Sequence, residues 1–356
     1  MPGSVLSFFG LEENRCRIIP FGNGLINHTW KVSMEGSDWL LQKINQQVFR
    51  NPEAIMKNLL ILSDYFINHF PEYLFVAPVV AASGENYFRD QDGEFYRLFP
   101  FVKNSWSCDT VPEPAMAYEA SRQFGKFTRL LSRFETEKLL ITLPDFHNLP
   151  LRYRQFENSV QSGNQTRIED CREFIEVLKS HRDILEKYER IKQSKSFHLR
   201  VVHHDAKINN VLFDRNKNTG LCIVDLDTVM PGYYISDVGD MLRTYICPVD
   251  EEEKDFSKIS IREEYFREIA RGYLGEMQSE LSNEEKEAFV YAGKFAIYMQ
   301  ALRFLTDHLN DDVYYSIKYT GQNLIRAGNQ ITVLQRYLEK EDKLNEILNA
   351  FTGEVA

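Results

Sequence analysis

Val201-Val202-His203-His204-Asp205-Ala206-Lys207-Ile208-Asn209-Asn210-Val211-Leu212-Phe213, followed by Ile223-Val224-Asp225-Leu226-Asp227, decides the reading of this chain. After an apolar run come an Asp, a Lys two residues on and an Asn five residues on; a second apolar run ends in another Asp. Phosphoryl transfer from a nucleotide needs that set: a carboxylate to orient the attacking hydroxyl, a cation for the moving phosphoryl group, and oxygen ligands for magnesium. The order H-x-D-x-x-x-x-N, then an apolar strand ending in Asp, points to transfer onto a small molecule, with ATP and Mg2+ as the implied cofactors.

Each residue has a plain alternative. Asp205 is read as the base or hydroxyl-orienting group, where aim matters more than full deprotonation; the alternative is a turn-capping Asp. Lys207 is read as neutralising the γ-phosphate, against a solvated surface Lys. Asn210 and Asp225 are read as magnesium ligands, because the ion takes hard oxygen donors and keeps several waters. A carboxylate at the mouth of the buried run Leu221-Cys222-Ile223-Val224 is costly unless paired or metal-bound. Asp227 is either a second ligand or a cap on the next turn. His203 is read as a brace for the loop; His204 has no assignable duty.

Composition bounds the rest. The chain has 356 residues and 43% hydrophobic content, enough for two compact lobes with real cores. Its formal charge of -10, from 42 Lys+Arg against 52 Asp+Glu, argues against a nucleic-acid partner. The five cysteines are scattered, odd in number and form no C-x-x-C, which suits a reducing cytoplasm. No signal peptide is read at the N-terminus, and the apolar stretch Leu74 to Ala82 is far short of the roughly 20 residues that span a bilayer. The expectation is a cytoplasmic monomer that meets ATP and a small molecule, with no membrane partner.

The fold class reads as α+β. Residues 1–102 look β-rich, with strands at Cys16 to Phe21, Thr29 to Met34, Trp39 to Ile44, Val76 to Val80 and Phe95 to Phe99. One helix starts at Asn51-Pro52-Glu53 and runs to about Phe70 on the spacing Ile55, Leu59, Leu62, Phe66. From about Pro112 the periodicity turns helical, over Ala115 to Phe134, Ile168 to Ile191, Arg262 to Ser279, Asn283 to Leu309 and Tyr319 to Leu338. A hairpin at Val211 to Leu226 is the β island in this half. The expected division is a nucleotide-binding lobe over 1–102 and a catalytic and substrate-binding lobe over 103–356.

In the first lobe, the turn Gly22-Asn23-Gly24 between two strands offers backbone N–H groups to phosphates, and His28 and Thr29 follow it within reach of a substrate. Lys43 sits where a third-strand Lys contacts the α/β-phosphates. Phe99-Pro100-Phe101-Val102 ends an apolar strand before the change of lobe, so Phe99, Phe101 and Val102 are read as the backbone contacts of adenine.

These residues, in this order, resemble the aminoglycoside phosphotransferase and choline kinase superfamily over about Phe21 to Tyr337. Asn23-Gly24-Leu25-Ile26-Asn27-His28-Thr29, Leu41-Gln42-Lys43-Ile44-Asn45 and Val224-Asp225-Leu226-Asp227-Thr228-Val229-Met230-Pro231-Gly232-Tyr233 are similar to the N-acetylhexosamine 1-kinases within it. The resemblance implies a two-lobed protein-kinase-like fold and ATP- and magnesium-dependent phosphorylation of the anomeric hydroxyl of N-acetylglucosamine or N-acetylgalactosamine. It implies Asp205 as the catalytic Asp, Asn210 and Asp225 as metal ligands, and His28, Arg303 and Tyr314 as residues lining the sugar site. The Asp-Phe-Gly of protein kinases is Asp225-Leu226-Asp227 here, and Glu53 is the only acidic candidate near the helix start to pair with Lys43. Arg303 also reads as a helix-face partner of Asp307, one turn on. The alternatives in function are a kinase of choline, homoserine or an aminoglycoside, and a nucleotide-binding pseudokinase.

Overall fold

The computed structural model describes residues 3–22 and 26–353. The chain forms two compact units. One comprises the described part of Met1–Trp106 with Glu135–Pro144 and Leu212–Pro231; the other comprises Ser107–Phe134, Asp145–Val211 and the described part of Gly232–Ala356. The first unit thus takes in two later segments that a boundary at 102/103 assigns to the second lobe.

In the first unit, β1 (Arg17–Pro20), β2 (His28–Met34), β3 (Ser37–Lys43), β4 (Phe88–Arg89) and β5 (Phe95–Pro100) form an antiparallel sheet in the order β1-β2-β3-β5-β4. Pairing of β2 with β3 runs from His28 opposite Lys43 to Met34 opposite Ser37. Val32, Leu41, Tyr96 and Leu98 on one face pack with Val5 and Leu6 of α1 (Gly3–Phe8). Helix α2 (Pro52–His69) starts as its sequence requires: the Asn51 side chain accepts the Ala54 N–H at 3.1 Å, and Pro52 opens the first turn. The strand expected at Val76 to Val80 is an irregular extended segment, joined to the sheet by the Val79 N–H on the Leu98 carbonyl at 2.7 Å. Pro78 removes a donor from its middle and prevents a ladder. Farther on, β6 (Ser105–Trp106) pairs with β8 (Val211–Asp214), the first strand of the expected hairpin, whose second is β9 (Gly220–Ile223).

Two buried polar residues tie the later segments in. Asn58 of α2 donates to the Leu140 carbonyl at 2.8 Å and the Val229 carbonyl at 3.3 Å, and accepts the Leu140 N–H at 2.9 Å. Arg97 of β5, only 1% exposed, grips Asp227 with both Nη atoms, at 2.6 and 2.9 Å. The Gln42 carboxamide oxygen accepts from Arg97 at 2.9 Å, and the Asn27 amide donates to Asp227 at 2.9 Å. Asp227 is therefore one half of a buried ion pair, a role outside the ligand-or-cap choice.

The second unit is mainly helical: α3 (Pro114–Leu130), α4 (Leu149–Ser162), α5 (Gln165–Asp170), α6 (Arg172–Ser180) and α7 (Arg182–Gln193) precede the short strand β7 (Arg200–Val202). After it come α8 (Ile235–Tyr245), α9 (Glu263–Met277), α10 (Asn283–Glu287), α11 (Phe289–Leu309), α12 (Gln322–Glu339) and α13 (Glu341–Thr352). Helix α11 is buried nearly all round and forms the axis of this unit. Its neighbour α8 approaches closely at Gly239, where a Cβ would stand 2.5 Å from the Ala292 carbonyl oxygen.

The single helix expected over Ile168 to Ile191 is three, broken at Cys171 and at His181 (φ -100°, ψ 29°), so that each piece turns its own apolar residues inward. No Gly or Pro marks those breaks, so the periodicity runs through them. The helix expected over Asn283 to Leu309 divides at Ala288, after a Ser282–Glu285 capping box. Helices α1, α4, α8 and α13 have no counterpart among the expected helices. Among the described residues no helix is long and apolar enough to cross a membrane.

Removing either partner of the Arg97–Asp227 pair strands a buried charge. Arg97→Ala and Asp227→Ala should each cost about 3–5 kcal/mol in urea denaturation, and the double change Arg97→Met/Asp227→Leu much less. Single costs below about 1 kcal/mol, the range of exposed pairs, would show that the pair does not hold the first unit together.

Candidate active site

The segment His203–Asn210 is a loop that leaves the buried strand β7 and closes in a single 3-10 turn at Ile208–Asn210. Its backbone is held from beneath by one carboxylate. Asp237, fully buried in the first turn of α8, accepts the His203 N–H at 2.9 Å and the His204 N–H at 2.6 Å. Burial pushes the Asp237 carboxyl up to about 6, against the pull of His203 and of the two amides. The Tyr245 hydroxyl at the other end of α8 donates to the Ala206 carbonyl at 2.7 Å. The buried His203 ring stands edge-on to Phe124 at 5.2 Å, and its Nδ1 accepts the Asp205 N–H at 3.3 Å. His203 is a brace.

His204 adopts a left-handed conformation, φ +67°, and its ring fills the space beside Gly232. A Cβ on Gly232 would meet that ring at 2.4 Å, so only glycine fits. The His204 Nδ1 lies 3.3 Å from the His147 Nδ1, and Phe146 stacks on His147 while standing edge-on to His204. His204 is thus a wedge that fixes the loop just before Asp205.

Asp205 keeps a quarter of its side chain exposed, with an Oδ 2.9 Å from the Lys207 ammonium. Burial pushes its carboxyl up, but Lys207, His203 and the Asn210 amide pull harder, and the net shift is below the ordinary carboxylate value. Lys207 is held above its usual range by Asp205 first, with Asp240 adding to it. Asn210, 5% exposed, donates through Nδ2 to the Asp205 carbonyl at 2.9 Å and carboxylate at 3.0 Å. Both its protons are used, which fixes the amide so that Oδ1 faces away from Asp205. Behind Lys207, Asp240 and Arg243 of α8 pair at 2.9 Å, and Arg243 reaches Glu251 at 3.1 Å.

A cavity of about 350 Å³ opens between α4 and α11 in the same unit. Arg152, Arg303, Asp307, Tyr314 and Tyr315 are among its lining residues. Arg303 does not pair with Asp307 in the described residues. The Asp307 carboxylate accepts the Tyr314 N–H at 2.7 Å, the Tyr315 N–H at 2.9 Å and the Asn323 amide at 2.9 Å. Arg303 instead lies 5.5 to 5.9 Å from the ring centroids of Tyr315, Phe146 and Tyr314. Phe146, near Arg303, stands edge-on to His204 at 6.4 Å, and Asp205 follows His204 in the loop.

The other expected residues belong to the first unit. Lys43 pairs at 2.8 Å with Glu94, just before β5, and not with Glu53 of α2. That pairing, first by its hydrogen bond, raises the Lys43 ammonium above its ordinary value. His28 is exposed at the start of β2, tilted against Trp30, and the Thr29 hydroxyl accepts from Gln42 at 3.2 Å. The Phe101 N–H is taken by the Asp38 carbonyl at 3.0 Å and the Val102 carbonyl accepts the Ser105 hydroxyl at 2.7 Å. Of the expected adenine contacts, the Phe101 amide is therefore not on offer, and Phe99 stands in the ladder opposite Leu40. The turn at 22–24 falls largely on residues 23–25, outside the described ones. Asp225 takes a left-handed conformation (φ 59°) between β9 and the 3-10 turn Leu226–Thr228, a conformation that Asp tolerates and that often accompanies function. The Asn210 carboxamide oxygen and the Asp225 carboxylate are each hard oxygen donors, the chemistry that magnesium takes.

Sequence reasoning missed Asp237, Arg152, Phe146 and His147. The start of α4 was legible, since Asn148 caps it by accepting the Leu151 N–H at 3.2 Å and Pro150 follows.

A model of the phosphotransferase enzyme family matches residues 17–279 of this chain. Among solved structures, a microcompartment-associated aminopropanol kinase is similar with a TM-score of 0.66 at 14% identity, covering 94% of this chain and 96% of that one. A choline kinase from Cryptosporidium parvum Iowa II gives 0.55 at 16% identity, covering 97% and 95%. A spectinomycin phosphotransferase in complex with ADP and spectinomycin gives 0.54 at 13%, covering 97% and 95%. At such identities the likeness is one of fold: a β-sheet N-terminal region and a helical C-terminal part.

Asp237→Ala leaves two buried amides without an acceptor, at about 1–3 kcal/mol each. The variant should show that loss in denaturation together with a collapse of phosphotransferase turnover. Wild-type stability and turnover would contradict the clamp.

Proposed function

We propose, starting from a chain that belongs to the phosphotransferase enzyme family, that it moves the γ-phosphoryl group of ATP to the anomeric hydroxyl of an N-acetylhexosamine. The observation that carries the chemistry is Asp205, held ionised by Lys207 at 2.9 Å and aimed by Asn210 and by the loop that Asp237 fixes. The acceptor hydroxyl donates its hydrogen bond to the Asp205 carboxylate, which takes the proton as the bond to phosphorus forms. Lys207 lies on the same carboxylate, so its charge is available to the phosphoryl oxygens as they approach. Asn210 and Asp225 would hold a magnesium ion, which when bound neutralises the phosphate oxygens of the nucleotide. Lys43 is proposed to meet the α/β-phosphates and the backbone of Val102 the adenine, with residues 1–102 as the nucleotide-binding lobe and 103–356 as the catalytic one.

Support for the acceptor comes from the cavity lining. Arg303 offers donors to sugar oxygens and Tyr314 and Tyr315 offer aromatic edges; His28 and Thr29 of the first unit are proposed as further substrate contacts. The rival reading is an amino alcohol, as the names of the aminopropanol and choline kinases suggest. A cavity with two guanidiniums, Arg152 and Arg303, repels an ammonium group, which favours the uncharged or acidic acceptor.

ADP release with ATP and magnesium should appear with N-acetylglucosamine or N-acetylgalactosamine and not with choline, aminopropanol or spectinomycin; the reverse pattern would discard the sugar. Asp205→Ala should cut kcat by about a hundred- to ten-thousand-fold while nucleotide affinity holds; full activity would remove Asp205 from the chemistry. Lys207 lowers the Asp205 carboxyl, and only the ionised form works. Activity therefore fails only as pH falls below the ordinary carboxylate range, and Lys207→Met should move that acid limb of kcat/KM to higher pH. An unmoved limb would assign it to another group.

A further inference from the structure

The partly buried guanidiniums of the second unit are, as a rule, neutralised. Arg167 pairs with Asp312 at 2.7 Å, Arg200 with Glu285 at 2.5 Å and Arg243 with Asp240 at 2.9 Å, and Arg326 lies on Glu252. Arg262 is met by the backbone carbonyls of Tyr245, Ile246 and Cys247, whereas Arg152 and Arg303 have neither a carboxylate nor a full set of carbonyls. They line one cavity from α4 and α11, and among the described residues neither pairs with a carboxylate. Arg152 donates to the Gln155 carboxamide at 3.1 Å and the Asp145 carbonyl at 2.9 Å, while its Nε is buried with no partner. Arg303 makes one long bond, 3.3 Å, to the Gln300 carboxamide. A guanidinium has five N–H donors, so most of both forks is unused. The carboxylate in the cavity wall, Asp307, is committed to the Tyr314 and Tyr315 amides and to Asn323. The rings around Arg303 hold its plane but bring no counter-charge. Burial and then the charge of Arg303 push the Arg152 guanidinium below its ordinary value, and the two cations outnumber the one carboxylate, Asp307, of the cavity lining.

We propose that this cavity is an oxyanion subsite, and that the acceptor carries a carboxylate, sulfate or phosphate group away from the hydroxyl that is phosphorylated. This rests on the reading of Asp205 as the base of a sugar kinase. Guanidinium forks match two oxygens of a carboxylate, sulfate or phosphate at once, and such charge-assisted bonds are strong where water is partly excluded. A neutral N-acetylhexosamine would occupy some of the donors and leave the excess positive charge standing; an acidic hexosamine or a hexuronic acid offsets it. The Phe146 ring lies 5.8 Å from the Arg303 guanidinium and 6.4 Å from the His204 ring, between the cavity's Arg303 and the residue that precedes Asp205. The lining residues give the anion a place on the acceptor itself.

The test compares kcat/KM for N-acetylglucosamine, its 6-sulfate, its 6-phosphate and glucuronic acid, in the wild-type chain and in Arg152→Met and Arg152→Lys. Calorimetric binding of the same four compounds without ATP runs alongside. The expected result is a preference of about tenfold or more for one anionic acceptor over the neutral parent. That preference should shrink towards unity in Arg152→Met through KM and be partly kept in Arg152→Lys, and the anion preferred identifies the source. A neutral parent used as well as every anionic analogue, or a preference that ignores Arg152→Met, overturns the proposal. Binding of an anionic sugar that is lost in Arg152→Met, with no ADP released from any acceptor, keeps the subsite and overturns the kinase reading. No binding of any anionic compound overturns the subsite.

Discussion

The acceptance of two adjacent backbone amides by one buried carboxylate governs the second unit. Asp237 takes the His203 and His204 N–H groups at the point where strand β7 ends and the chain has to turn. Without that acceptor, a loop starting inside the core would carry unpaired donors, which buried backbone almost never does. With it, His204 is held in a left-handed conformation and Asp205 emerges partly exposed, already ionised. The near-neutral value forced on Asp237 by its burial is the cost of this arrangement. Functional sites commonly carry such locally unfavourable groups, held by the packing around them.

A second theme is how charge is distributed. In the first unit, Arg97 and Asp227 neutralise each other inside the fold and bind the segment after β9 to the sheet. Its neighbour Asp225 stands at the open end of the strand in a strained conformation. Two Asp residues two positions apart thus divide between structure and proposed chemistry. In the second unit, carboxylates answer most of the half-buried guanidiniums and backbone carbonyls answer Arg262, whereas the cavity lined by Arg152 and Arg303 holds two cations against one carboxylate.

What the sequence made legible was local. The β-rich opening with its Asn51-capped helix, the hairpin, and the loop with Asp205, Lys207 and Asn210 are all written in short stretches, where turn residues, caps and i-to-i+5 spacing act on near neighbours. What it hid was either unpunctuated or distant. The breaks at Cys171, His181 and Ala288 interrupt an uninterrupted apolar period. Helix α8 is short, carries two Asp and a Gly, and looks polar until Asp237 finds the loop and Gly239 finds α11. Lys43 shows the same limit: its acid, Glu94, lies just before β5, far from Lys43 in the chain, while Glu53 of the nearer helix makes no such pair. Arg97 and Asp227, 130 positions apart, read singly as an ordinary strand Arg and an extra Asp.

A phosphorus NMR time course of the protein with ATP, magnesium and N-acetylglucosamine, or the acidic analogue it prefers, tests the central claim most directly. The expected result is a new phosphomonoester resonance coupled to the anomeric proton, growing in step with ADP. Phosphate appearing on another carbon, or inorganic phosphate alone, would contradict it.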